Sequence, residues 1–299
     1  MLELDASVHQ NAQRYFESAR KQKNKTSGAV EALAETERKL KRARKSEAKQ
    51  KASGKLNRLK RSKRMWFEQH RWGMIEGGHL LVGGKDAKGN DSVVKKHLSS
   101  EDMYLHADLH GAPSCSLRSS QGFALEERRP AHLPPDIPAY RLVDKLEDSD
   151  LTKDKLQQAA VLALSWSRAW NGGGAHGTVY SVKPAQVSKS AQTGEFVGKG
   201  AFVIRGQRTW YKDMDVRIGI GIIAVNGVPM VVSGTPNYIL EVCQRYAILS
   251  PGLTKKDQLA NKIYRNTGLS TDDLLSVLPG ACDVIDEQGM LTPPASEEE

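Results

Sequence analysis

The chain has 299 residues, 39% hydrophobic and 26% charged, with a formal net charge of +9. That length suffices for one sizeable domain with accessory elements or for two small ones. Three widely spaced cysteines (Cys115, Cys243, Cys282) without a C-x-x-C pair argue against a disulfide framework or a zinc ribbon and fit a reducing cytosol.

The charge is local. Residues 20–64 hold 18 Lys/Arg against 4 Glu, a net of +14, while the rest of the chain carries a net of −5. A field that dense points to a polyanion as partner. The same region, residues 6 to about 64, has no proline and is rich in Ala, Glu, Lys, Arg and Gln, which predicts a long helix. Val8, Ala12, Tyr15, Ala19, Ala29, Leu33, Leu40 and Ala43 fall on a thin heptad seam that resumes at Leu56 and Leu59, with Gly28 and Gly54 as weak points. So polar a helix needs a partner helix, and none of matching length is evident.

From Trp66 the pattern changes to short apolar runs broken by turn residues. A strand is expected at His79–Val82, a turn at Lys88-Gly89-Asn90-Asp91 and a short helix over Ser92–Leu98. Further strands are expected over Met103–His110 and Ser114–Leu117. Residues 119–150, with Pro130, Pro134, Pro135 and Pro138, read as an inserted loop. Thr152 caps a helix expected to reach Trp170, ahead of Gly172-Gly173-Gly174. Strands follow at Gly177–Val182, Ala201–Arg205, Arg217–Val225 and Val228–Ser233, the last two joined by Asn226-Gly227, a two-residue hairpin signal. The run Ile218–Val232 is too short and interrupted to cross a bilayer, and Met1–Asp5 lacks the plan of a signal peptide; no membrane role is expected. Thr254–Thr267 and Ser270–Leu278 should form a helical pair opened by Thr254/Asp257 and Ser270/Asp273 capping boxes, before a disordered acidic tail over 286–299. The predicted organisation is therefore a basic coiled-coil helix (1–64), a mixed α/β domain (65–249), a small helical extension (250–285) and the tail.

Among polar clusters, His106-Ala107-Asp108-Leu109-His110 is the densest. On a strand, its period of two would put His106, Asp108 and His110 on one face, where they could ligate a metal, contact phosphate and ribose, or hydrogen-bond one another. Gly83-Gly84-Lys85-Asp86 after a strand could bring backbone close to a phosphate, but it is not a P-loop and a plain tight turn fits as well. Lys95, Lys96 and His97 add cations that an exposed helix face would also carry. Trp66, Phe67 and Trp72 fit core anchoring better than base stacking, with Arg71 left open for phosphate. No nucleophile elbow, Ser-x-x-Lys logic, Cys/His pair or cofactor motif is present, so catalysis has little support.

Several ordered blocks together resemble the NFACT family of ribosome-associated quality-control proteins. These are Leu4-Asp5 to Tyr15-Phe16, Trp66-Phe67-Glu68 with Arg71-Trp72, Gly83-Gly84-Lys85-Asp86-Ala87 with Asn90, and Val94-Lys95-Lys96. His106 to Ala112 is the most diagnostic block. Gln186-Val187-Ser188-Lys189, Thr193-Gly194-Glu195, Lys199-Gly200 and Ile204-Arg205-Gly206 complete the set. The chain departs from the family at Gly73, where an aromatic is usual, at Glu76-Gly77-Gly78, which replaces a serine-containing turn, and in the length of the proline-rich stretch. The resemblance implies a coiled coil followed by an RNA-binding domain, cytoplasmic, without cofactor, acting on rRNA of the large ribosomal subunit or on tRNA at stalled ribosomes. Arg71, Lys85, Lys95, Lys96, His106, Asp108, His110, Lys189 and Arg205 are its expected RNA contacts. It also implies a partner chain or preceding segment that supplies the family's N-terminal domain and first coiled-coil helix. Two other readings stand beside it: a metal-dependent hydrolase or nuclease built on His106, Asp108 and His110, and a coiled-coil adaptor that binds only protein.

Overall fold

The computed structural model describes residues 5, 7–52, 56, 64–190 and 197–292. Leu4, Gly54, Leu59, Thr193-Gly194-Glu195 and the tail from residue 293, all singled out above, lie outside those residues. The chain divides into two compact units, Met1–Ser53 and Gly54–Glu299.

The first unit is one helix, α1 (Val8–Ala52). A reciprocal capping box opens it: Ser7 Oγ accepts the Gln10 N–H at 3.3 Å, and Gln10 Oε1 accepts the Ser7 N–H at 2.9 Å. At 45 residues it extends roughly 68 Å. The seam expected from the sequence is bare within this unit, with Tyr15, Leu33 and Leu40 at least half exposed. Beyond Ala52, the described residues Leu56 and Arg64 are not helical, although the helix was expected to reach residue 64.

The second unit is mixed α/β, as expected. In chain order it contains β1 (Arg71–Ile75), β2 (His79–Gly83), α2 (Ala87–His97), β3 (Met103–Ala107), β4 (Cys115–Leu125), β5 (Ala139–Val143), α3 (Lys153–Ser165) and β6 (His176–Val182). The short pair β7 (Val187–Ser188) and β8 (Val203–Ile204) follows, then β9 (Thr209–Asp215), β10 (Ile218–Val225), β11 (Val228–Gly234), α4 (Pro236–Val242), β12 (Tyr246–Pro251), α5 (Lys256–Thr267), α6 (Thr271–Val277) and β13 (Cys282–Gln288). The main sheet runs β13-β12-β10-β5-β4-β3-β6-β9, with β2 and β1 branching from β4 and β11 from β10. Every pair is antiparallel except β5 with β10. At the β10–β11 turn, Asn226 (φ 50) and Gly227 (φ 77) both adopt the left-handed conformation that a two-residue hairpin requires.

Two large cores hold this unit, with a third small cluster of Tyr104, Tyr180 and Val182. Ala159, Ala160 and Ala163 let α3 pack closely on β3, β6 and β9. Phe67, Trp72, Met74 and Phe123 pack between the β1–β2–β4 side and β10–β11, where Ser233 Oγ–H donates to Trp72 O at 2.5 Å. A Cβ at Gly73 would lie 2.7 Å from Ser233 O, so glycine is what allows β1 and β11 to approach there. Phe67 and Trp72 thus act as core anchors.

The structure corrects several expectations. Lys88–Asp91 is not a turn but the first half of α2. Asp86 Oδ1 accepts the Gly89 N–H at 2.6 Å, and this cap outweighs the poor helix propensity of Gly89 and Asn90. The strand expected over Met103–His110 stops at Ala107, and the chain then turns through Gly111 (φ 76). His106, Asp108 and His110 therefore do not share a strand face, and no group of three His/Cys/Asp/Glu able to hold a metal exists among the described residues. The supposed inserted loop contains most of β4 and all of β5, and its prolines are confined to the connection between them. Helix α3 ends at Ser165 rather than Trp170, because Ser167 Oγ–H takes the Leu164 carbonyl at 2.6 Å and offers its oxygen to the Ala169 N–H at 3.1 Å. β8 covers only two of the five residues expected as a strand at 201–205.

The helical pair α5–α6 is present but is no separate extension. Leu259, Ile263 and Leu274 belong to the main core, and β12 and β13 add to the same sheet. β13 and buried Met290 also occupy the start of the presumed acidic tail. Neither predicted capping box forms. Lys255 stands at the N-cap of α5, Ser270 makes no side-chain cap bond, and Thr254 bonds Asp283 instead.

Candidate nucleic-acid interface

A cleft of about 530 Å³ opens on the face of β3 and β6 opposite α3. Its walls come from distant parts of the sequence: the β2–α2 turn, the 109–114 turn, the segment after α3 and the 199–202 loop. Asn90 joins three of them. Its Oδ1 accepts the Ser114 N–H at 2.9 Å, and its Nδ2–H donates to Gly200 O at 3.4 Å. A Cβ at Gly84 would overlap Asn90, and one at Gly200 (φ 73) would overlap Ala87, so both glycines are needed for these walls to meet.

Four of the nine residues expected to contact RNA line this cleft: Arg71, Lys85, His106 and His110. Arg71 emerges from β1, and burial draws its guanidinium pKa down. No hydrogen bond or ion pair ties that guanidinium to another described residue. Lys85 donates to Glu68 O at 3.3 Å, and its pKa is lowered first by burial and then by the charges of Arg71 and Arg64. The charge of Glu68 offsets this only in part, and two cations that repel each other favour an anion in the gap. Burial also lowers His106, which holds it neutral at ordinary pH. Asp86 lines the cleft too, but its Oδ1 is engaged in capping α2.

The other five expected residues lie elsewhere. Lys189 is internally satisfied: its ammonium donates to Asp91 Oδ1 (3.1 Å), Gly198 O (2.9 Å) and Ala201 O (3.0 Å), and sits 4.8 Å from the Phe202 ring centre. It supports the 199–202 wall from behind. Lys95 pairs with Asp91 at 3.8 Å, and Lys95 and Lys96 project from the last turn of α2, away from the N-terminal turn that borders the cleft. Arg205 donates to Ser190 O at 3.4 Å. Asp108 is exposed in the turn after β3 and does not line the cleft.

Conversely, Arg168, Lys199, Trp166, Tyr180 and Phe202 line the cleft although sequence reasoning left them out. Lys199 stood in a quoted family block and carried a usable signal. Arg168 fell within the helix expected over Thr152–Trp170, to which no contact was assigned.

The family described as the NFACT protein RNA binding domain matches residues 63–206. The archaeal Rqc2 homolog aRqcH of Methanocaldococcus jannaschii is 30% identical over 79% of this chain and 32% of its own length. The ribosome quality control complex subunit NEMF homolog of Drosophila melanogaster is 29% identical over 74% of this chain and 20% of its own. For the Homo sapiens subunit NEMF the figures are 27%, 72% and 18%. The chain thus spans between about a fifth and a third of the length of these relatives. The matched region holds Arg71, Lys85, His106, His110, Arg168 and Lys199, six of the side chains that line the cleft, and the chain belongs to the NFACT family.

Proposed function

We propose that this chain binds RNA through the Arg71/Lys85 cleft and acts in the cytoplasm in ribosome-associated quality control, on rRNA of the large ribosomal subunit or on tRNA at stalled ribosomes. The observation that carries the reading is the half-buried, unpaired Arg71 guanidinium beside Lys85, with Arg168 and Lys199 on the same walls. A phosphodiester supplies the missing counter-charge, and Arg can bind it bidentately. The basic stretch at 20–64 adds phosphate affinity that does not depend on sequence. The exposed seam of α1 suits a partner helix, supplied by another segment or another chain.

Cosedimentation with purified large ribosomal subunits tests this. The full chain should pellet with the subunits, and Lys85→Glu, on an exposed side chain, should weaken retention about tenfold or more without lowering the unfolding midpoint. Retention by Lys85→Glu equal to that of the parent chain would contradict the cleft as the contact. Among the described residues no helix is long and apolar enough to cross a membrane.

A further inference from the structure

Three neighbouring strands place aromatic rings side by side. In register, His106 on β3 stands opposite Tyr180 on β6, and Tyr180 opposite Trp210 on β9. Ring centres are 5.8 Å apart for the first pair, tilted by 36°, and 5.4 Å for the second, which meet edge to face at 64°; Tyr180 itself is buried, so Trp210 alone offers an open ring face. Tyr104 extends the row inward, its ring nearly parallel to His106 at 6.3 Å. The row starts inside the cleft, where Tyr104, His106 and Tyr180 form part of the wall, and ends at Trp210, which is 43% exposed. Arg208 lies over it, its guanidinium carbon 4.6 Å from the Tyr180 ring centre and 5.7 Å from that of Trp210. That guanidinium faces rings, and no described carboxylate pairs with it.

The alternative is plain protection of an edge strand by a charge and a bulky ring. Edge protection does not require the row to run into a basic cleft, nor an arginine held by ring faces alone. The combination matches what an unpaired nucleic-acid strand needs: cations for its phosphates, and flat π surfaces for bases that a duplex would keep stacked on each other. A duplex offers its phosphates but not its base faces.

We infer that Trp210, the exposed end of the His106–Tyr180–Trp210 row, is with Arg208 a stacking site for one unpaired base of a single-stranded RNA segment whose backbone continues to Arg71 and Lys85. This rests on the RNA-binding reading above and specifies its ligand as unpaired rather than helical RNA.

Fluorescence anisotropy of the full chain with a labelled single-stranded oligoribonucleotide and with a duplex of the same length tests it. Trp210→Ala should weaken single-strand binding roughly 5- to 150-fold, the range for loss of one base stack, and leave duplex binding within about twofold. Trp210→Phe, which restores an aromatic face, should recover most of the loss. Arg208→Gln should weaken single-strand binding and reduce its salt dependence. Because Trp210 is exposed, a normal unfolding midpoint is expected for each variant. Should Trp210→Ala fail to fold, the single-strand-induced quench of tryptophan emission, compared between the parent chain and Trp210→Phe, reads the same contact. An equal quench in both would overturn the stacking site. So would unchanged single-strand affinity in Trp210→Ala while Lys85→Gln still weakens binding, and that outcome leaves the cleft reading standing. Absence of RNA binding by the parent chain overturns both.

Discussion

Burial draws the His70 imidazole from 6.5 to about 4, helped by the charges of His97 and Lys85, and it also lowers His79 and His97. Neither ring nitrogen of His70 has a partner in the structure. His79 Nδ1–H donates to Arg118 O at 2.9 Å, leaving its Nε2 to accept from the buried Lys155 ammonium at 3.1 Å, so its neutral form is built into the fold. The unfolded chain therefore takes up these protons first. Stability should be level above about pH 6.5 and fall as the pH drops from 6.5 towards 4, with His70 the largest single contributor. Urea midpoints at pH 8, 7, 6 and 5 check the sign; a midpoint that does not move between pH 7 and 5 would be inconsistent with buried neutral imidazoles. Two lysines offer a contrast at the same scale. Lys189→Met removes three internal bonds and should cost about 1–3 kcal/mol of stability, whereas Lys85→Gln should lower RNA affinity and leave the unfolding midpoint nearly unchanged. Equal effects of the two substitutions on both readouts would erase the distinction between support and contact.

Elements with a local chemical signal were legible in the sequence. Asn226-Gly227 announced the β10–β11 hairpin, and Thr152, whose side chain accepts from the Lys155 N–H, announced α3. Elements defined by pairing alone were not. β9 buries little besides Tyr211 and shows no apolar alternation, because it lies at a sheet edge. β13 carries Asp283 and Asp286 exposed, and Glu287 engages its carboxylate with the Met290, Leu291 and Thr292 turn, so its composition reads as a tail. The cleft was half legible: glycine-bounded blocks marked Lys85, His106 and His110, but Arg168 reaches it only because α3 ends early, and the aromatic row exists only through strand register. At this scale α1 makes its own prediction. Its large apolar side chains are exposed and its basic residues outnumber its acidic ones, Glu35–Lys39 at 2.8 Å being an i,i+4 pair of the kind that offers limited relief. Hydrogen exchange should show weak protection across Ala12 to Leu40 in the free chain and a gain when RNA or a partner helix is added. Strong protection there in the free monomer would show that the helix packs on something unidentified.

Over the whole chain, the proposed reading assigns charge and recognition to different segments. Residues 20–64 carry a net of +14, yet a charge run attracts any polyanion equally, whereas the unpaired Arg71 and its neighbours can distinguish where a phosphate sits. Both contributions release counterions, so both depend on salt, and they separate when the cleft alone is altered. The most direct measurement is the dependence of RNA affinity on salt for the full chain and for the Arg71→Gln/Lys85→Gln double variant. With about six to eight phosphates neutralised, log K for the parent chain should fall against log salt with a slope of roughly −5 to −7. For the variant it should be shallower by about 1.5 to 2, with affinity at least tenfold weaker at 0.15 M salt. Identical slopes and affinities for the two proteins would contradict RNA binding through the cleft.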